Sequence, residues 1–195
     1  MSSAAPGRLP DQAPFVSPEE FTTVPEQPQV TQRAPQPYVA IPFTVTMATF
    51  PQAADTGFPE LLGWLGEHGI APSGPPFIRY HVIDMAAELE IEIGAPVAAA
   101  APVSGRIQAG ELPGGRYVTL VHTGPYDGLV AANGALQDWA RQQGIALESS
   151  DGERRFRGRV EFYPTDPGQE PDTAKWAVEI AYLISEDAQP AGGSS

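Results

Sequence analysis

The segment KWAVEIAYLI, Lys175 to Ile184, alternates with period two and predicts a β-strand. Trp176, Val178, Ile180 and Tyr182 share one face, while Ala177, Glu179 and Ala181 share the other. A lone carboxylate between two alanines has two readings. On a face open to water it is an ordinary strand glutamate, paired with a neighbour such as Arg159 or Lys175. Facing a cleft, it is a site, able to attract a cation or to activate water.

Further residues with the right chemistry stand in neighbouring strands. Glu92 lies in ELEIEIGAPV, where its alternation with Glu88 and Glu90 says only that this face meets solvent. Tyr80 in PFIRYHVID and Tyr163 in GRVEFYPTD offer aromatic walls, or are core tyrosines. Trp176 shares the apolar face with Val178, which favours core packing over ligand stacking. Tyr117 and Tyr126 flank the HTGPY segment and would close one end of a groove; His122 reads as a structural strand histidine.

The elements that must position these residues come from an internal repeat. LLGWLGEHGI at Leu61 to Ile70 resembles LQDWARQQGI at Leu136 to Ile145, with Trp64 matching Trp139 and Gly69 matching Gly144 at a common offset of roughly 75 residues. Each copy opens on a strand, YVAIPFTVTMATF and then GRYVTLVHTG, with Pro42 suggesting an edge or bulge. A helix follows, with Pro59 near its start in copy one and Leu61, Trp64, Leu65 and His68 on one stripe; in copy two the stripe is Leu129, Ala132, Leu136 and Ala140. Gly69 and Gly144 sit where left-handed C-terminal caps belong.

Two strands complete each copy and align Tyr80 with Tyr163, Asp84 with Asp166, and Glu92 with Glu179. The expected fold is α+β, with two pseudo-symmetric β-α-β-β repeats, about 38–103 and 111–185, forming a mostly antiparallel concave sheet with both helices on one face. That leaves the opposite face for a groove. Residues 1–37, rich in Pro, Gln and Ser, read as a disordered leader in which Ser17, Pro18 and Glu20 could start one helical turn; 38–186 form the domain and 187–195 a disordered tail.

Composition removes several classes. The chain has 195 residues, 42% hydrophobic, enough for one domain with a sizeable core. With no cysteine, and with His68, His81 and His122 outside metal-ligand spacings, no metal or cofactor is expected. Eleven basic residues against 24 acidic give a net charge of −13, which disfavours nucleic acid and anionic membrane and favours cationic ligands. No apolar run approaches a signal peptide or membrane helix, so a soluble cytoplasmic protein is expected. The arginines of ERRFRGR, Glu153 to Arg159, read as a solvated edge strand rather than a phosphate site, and GELPGGRY as a turn.

LPGGRYVTLVHTGPYDGL at Leu112 to Leu129, the helix end LQDWARQQGI, the YPTD turn and the final VEI together resemble the GyrI-like small-molecule-binding family, over roughly residues 38–185. The resemblance implies SH2-like β-α-β-β motifs and an aromatic groove with an acidic residue in the last strand, here Glu179, that attracts lipophilic cations. Regulators of this type carry a helix-turn-helix domain before the groove domain, where this chain has a Pro-rich leader, so it resembles a stand-alone member.

Two functions follow as expectations. The first is a multidrug-binding protein for hydrophobic cations, with Glu179 as counter-charge, Tyr80, Tyr163 and Trp176 as walls, Tyr126 and Tyr117 at one end, and Glu92 as a second acidic contact. The second is a hydrolase of cyclopropane-containing DNA-alkylating natural products, with Glu179, Glu92 and Tyr163 as catalytic candidates.

Overall fold

The computed structural model describes residues 27–186. The expectations for Ser17 to Glu20 and for the C-terminal tail lie outside the described residues. Eight strands form one antiparallel sheet in the order β1-β6-β8-β7-β3-β4-β2-β5. Their ranges are β1 Gln29–Arg33, β2 Gln36–Val45, β3 Phe77–Ile83, β4 Leu89–Pro96, β5 Gln108–Leu112, β6 Gly115–Thr123, β7 Arg155–Phe162 and β8 Ala177–Leu183. Two helices, α1 (Phe50–Glu67) and α2 (Leu129–Gln142), complete this α+β fold.

The elements β2-α1-β3-β4 and β6-α2-β7-β8 run in the same order and pair in the same order, and β3 pairs with β7 at the centre. The outer strands cross over. β1 leads into β2 but pairs with β6, and β5 leads into β6 but pairs with β2.

Several local expectations change. Residues 29–37, expected in the leader, form β1 and the start of β2; Pro28 and Pro35 flank β1 instead of interrupting it, so its ladder with β6 runs from Gln29↔Thr119 to Arg33↔Gly115. α1 begins at Phe50, nearer its N-terminus than Pro59 suggested: Pro51 occupies the first turn, where a missing N–H costs nothing, and Pro59 lies inside the helix. β7 is central, between β8 and β3, not an edge. At its start, Arg154 just before the strand meets Asp84 at 3.4 Å and Arg157 meets Glu148 at 3.4 Å, whereas Arg159 lies against the rings of Tyr80 and Tyr182. Gly69 and Gly144 cap the helices at φ of 65° and 68°, with Ile70 N–H donating to Leu65 O and Ile145 N–H to Ala140 O, each at 2.9 Å.

Both sheet faces are packed. α1 covers Val39, Ile41, Ile78, Ile91 and Ile93, and α2 covers Val118, Leu120, Ile180 and Tyr182. The opposite face, expected to hold the groove, is itself a core of Tyr38, Phe77, Tyr117, Val160 and Phe162, with Leu112 and Leu183 beside them. Glycines make this possible. A Cβ on Gly94 would stand 2.4 Å from the Phe77 ring, and one on Gly110 the same distance from the Tyr38 ring, so the aromatic planes lie directly against bare backbone. No helix among the described residues is long and apolar enough to cross a membrane.

Candidate functional site

Strand alternation divides the expected site residues between the two faces. Glu92, Glu179 and Tyr117 lie on the face opposite the helices; Tyr80 and Tyr163 lie on the helix face. They do not meet in one groove.

Glu179 stands opposite Phe162 in β7 and Val121 in β6, and its carboxylate is buried. Neither Arg159 nor Lys175 is its partner. Arg33, at the end of β1, donates from Nη2 to Glu179 Oε1, and its guanidinium lies 5.6 Å from the ring centroids of Tyr117 and Phe162. The pair is fully enclosed, at 8% exposure for Arg33 and 9% for Glu179, so the charge on Glu179 is answered from within the chain. Tyr117 donates its hydroxyl to Pro113 O at 2.6 Å and is a core residue.

Glu92 belongs to a second polar cluster on the same face. Tyr38 donates its hydroxyl to Glu92 Oε2 at 2.5 Å, and Arg79 Nη1 donates to the Tyr38 oxygen at 2.6 Å. His81 Nε2 lies 2.9 Å from Glu92 Oε2, although off the line of a good hydrogen bond. Burial pushes the Glu92 carboxyl up, but His81, Tyr38 and Arg79 together outweigh it and hold the pKa below the ordinary glutamate value. A carboxylate with a depressed pKa stabilises the fold above its unfolded pKa, and that contribution disappears as the pH falls through the folded one. Glu92→Gln is therefore expected to flatten the acid limb of the stability profile while leaving its shape near neutrality unchanged, as read by urea unfolding across a pH series.

The helix face carries the more suggestive arrangement, centred on a residue not singled out from the sequence. Glu161 of β7 is 3% exposed. Tyr80 donates its hydroxyl to Glu161 Oε2 at 2.7 Å, Tyr163 donates to the same oxygen at 2.9 Å, and Asn133 of α2 donates from Nδ2 to Oε1 at 2.9 Å. These donors are neutral, and among the described residues no ion pair reaches Glu161. Three bonds leave a carboxylate with one further acceptor position. Burial first, and then the charge of Glu161, push the phenols of Tyr80 and Tyr163 well above their ordinary pKa, so both remain protonated donors.

Half-buried rings extend from this carboxylate. The Tyr163 ring meets Phe58 of α1 edge-on at 5.6 Å and Tyr126 at 5.7 Å, and Tyr126 lies 4.6 Å from Trp176. Phe50 stacks on Tyr80 at 6.3 Å. Trp176 is fixed by its Nε1–H, which donates to Glu170 O at 2.8 Å, and so takes part in this ring series rather than in a buried core. Burial, reinforced by Asp166, raises the pKa of Tyr126. Among the described residues no cluster of His, Asp and Glu has metal-binding geometry.

This sheet with its two helices defines a class of small-molecule-binding domain. The chain belongs to the GyrI-like small molecule binding domain family, whose pattern it matches over residues 26–184. Its fold resembles that of EcmrR in a complex with DNA (TM-score 0.68, 22% identity, 82% of this chain and 57% of that one), so the chain spans little more than half of that protein. It also resembles a hydrolase from Listeria innocua (TM-score 0.57, 13% identity, 86% and 96% covered) and SAV2435 bound to tetraphenylphosphonium (TM-score 0.56, 11% identity, 85% and 98% covered). At these identities the likeness is one of fold. A search of curated protein sequences returns no match.

Proposed function

We propose that the protein binds hydrophobic organic cations on the helix face of the sheet, with Glu161 as the counter-charge and Tyr163, Tyr126, Trp176 and Phe58 as aromatic walls. The observation that carries this reading is Glu161 itself, a buried carboxylate held by three neutral donors and, among the described residues, by no ion pair. Such a group is costly in a dry setting, and an incoming cation offsets that cost while its apolar body covers ring surface. Each suitably placed ring adds roughly 0.5–2 kcal/mol of cation–π attraction. Glu179 and Glu92, assigned to the site from the sequence, are engaged on the opposite face by Arg33 and by Tyr38, and Tyr117 is packed in the core there. SAV2435, similar in fold, has been described with tetraphenylphosphonium, a ligand of this class.

The test is a titration of the protein with tetraphenylphosphonium, followed by tryptophan fluorescence. Saturable binding whose signal disappears in Trp176→Phe is expected; no saturation, or an unchanged signal in that variant, would remove the cluster from consideration.

A second reading is favoured by the two phenols on one carboxylate oxygen. In hydrolysis of a cyclopropane, Glu161 would take a proton from water as the water oxygen bonds to a ring carbon. The broken C–C bond's electron pair would pass into the substrate's conjugated system, and a tyrosine hydroxyl would protonate it. Product analysis after incubation with a cyclopropane-containing alkylator separates the readings: unchanged compound leaves binding alone.

A further inference from the structure

Glu161 is gripped unevenly. Both phenols bond to Oε2, so they fix one oxygen and leave the carboxylate plane free to turn about its last torsion, which is intrinsically soft. Among the described residues the one bond to Oε1 comes from Asn133, on a different element, and it is this third point that fixes the plane. The amide of Asn133 cannot turn either. Its Nδ2 also donates to Leu129 O at 2.9 Å, while its Oδ1 accepts from the Tyr182 hydroxyl at 2.9 Å and from Arg159 Nη2 at 3.3 Å. Inverting the amide would set its oxygen against two acceptors and its NH2 against two donors.

The partners of Asn133 are themselves held. Gln137, one turn further along α2, donates to the Tyr182 oxygen at 2.8 Å. Arg159 lies over the rings of Tyr80 and Tyr182, at 4.7 and 5.1 Å from their centroids. A polar asparagine on the buried stripe of α2, 7% exposed beside Leu136 and Ala140, is costly unless fully bonded, and here every donor and acceptor is used.

We propose that Asn133 is a positioning residue for cation recognition: from α2 it sets the plane of the Glu161 carboxylate, and thereby holds the charge on Oε1 at a fixed place. The inference rests on Glu161 being the counter-charge. It makes discrimination between charged and neutral ligands, rather than the capacity to bind apolar bodies, depend on Asn133. Preorganisation of this kind strengthens an electrostatic contact without adding a new one.

The experiment measures the affinities of tetraphenylphosphonium and of neutral triphenylphosphine oxide for the full chain and two variants. Asn133→Leu removes the bond to Glu161. Leu136→Ala, on the same buried stripe of α2, lowers stability without altering a polar group of the network, and so reports any loss due to stability alone. The cation-to-neutral affinity ratio is expected to fall roughly tenfold in Asn133→Leu, as for loss of a bond to a charged group, and to hold in Leu136→Ala. A wild-type preference that survives Asn133→Leu overturns the positioning role alone; absence of any preference in the wild type overturns the assignment of Glu161 and this inference with it.

Discussion

Arg33→Met is expected to lower the unfolding free energy by about 3–5 kcal/mol, the cost of leaving one member of a buried ion pair without its partner. Met preserves much of the side-chain volume between the Tyr117 and Phe162 rings, so the loss is chiefly electrostatic. Glu179 Oε2 already makes no hydrogen bond among the described residues, and removing Arg33 would strand the other oxygen as well. The double variant Arg33→Met/Glu179→Met should recover most of the loss, because a packed apolar pair commonly replaces a buried ion pair without penalty. Urea unfolding of the wild type, both single variants and the double variant measures the coupling. A loss below about 1 kcal/mol in Arg33→Met, in the range of an exposed pair, would contradict the enclosure of this bridge. Since among the described residues the backbone of β1 pairs with β6 alone, and Arg33 adds a side-chain tie to β8, the same substitution should also speed hydrogen exchange along the β1–β6 ladder.

Glu161→Gln should weaken tetraphenylphosphonium binding by about thirtyfold or more, corresponding to the roughly 2 kcal/mol or greater that loss of one partner of a desolvated charge pair costs. The amide keeps an oxygen for the Tyr80 and Tyr163 hydroxyls, so the walls stay in place while the charge is removed. Affinity for a neutral analogue should change little. Glu179→Gln provides the contrast: its partner lies on the far side of the sheet, so the cost should appear in stability and not in cation affinity. Competition binding with the two variants side by side tests this, and a larger affinity loss in Glu179→Gln than in Glu161→Gln would reverse the assignment.

Much of the fold was legible because strand alternation and helix punctuation are local. Val178, Ile180 and Tyr182 do share a buried face, Gly69 and Gly144 do cap helices, and Glu179 is the one charged residue of β8. The partner of Glu179 was hidden for a physical reason. β1 reads QVTQR, with no apolar alternation and prolines on both sides, and its place in the sheet is dictated by pairing with a distant strand. Glu161 escaped although the same logic applies to it: in VEF it is the lone polar residue between Val160 and Phe162, which face the opposite core. The charges of Arg154, just before that strand, and of Arg155 and Arg157 at its start read as a solvated edge, whereas its second half runs through the centre of the sheet. The equivalence of Tyr80 and Tyr163 was readable, and both do converge on one carboxylate; which carboxylate depended on the face, and period two assigns a face only relative to neighbours in the same strand.

The most direct test of the central claim is to locate the cation. Crystals grown with tetraphenylarsonium, in which the charged atom scatters anomalously, would show its position without interpretation of weak ligand density. An arsenic peak on the helix face, within contact of Glu161 and bounded by Tyr163, Tyr126 and Trp176, is the predicted result. A peak on the opposite face beside Glu179 or Glu92, with the Arg33 bridge displaced, would contradict the assignment and restore the last-strand glutamate as the counter-charge.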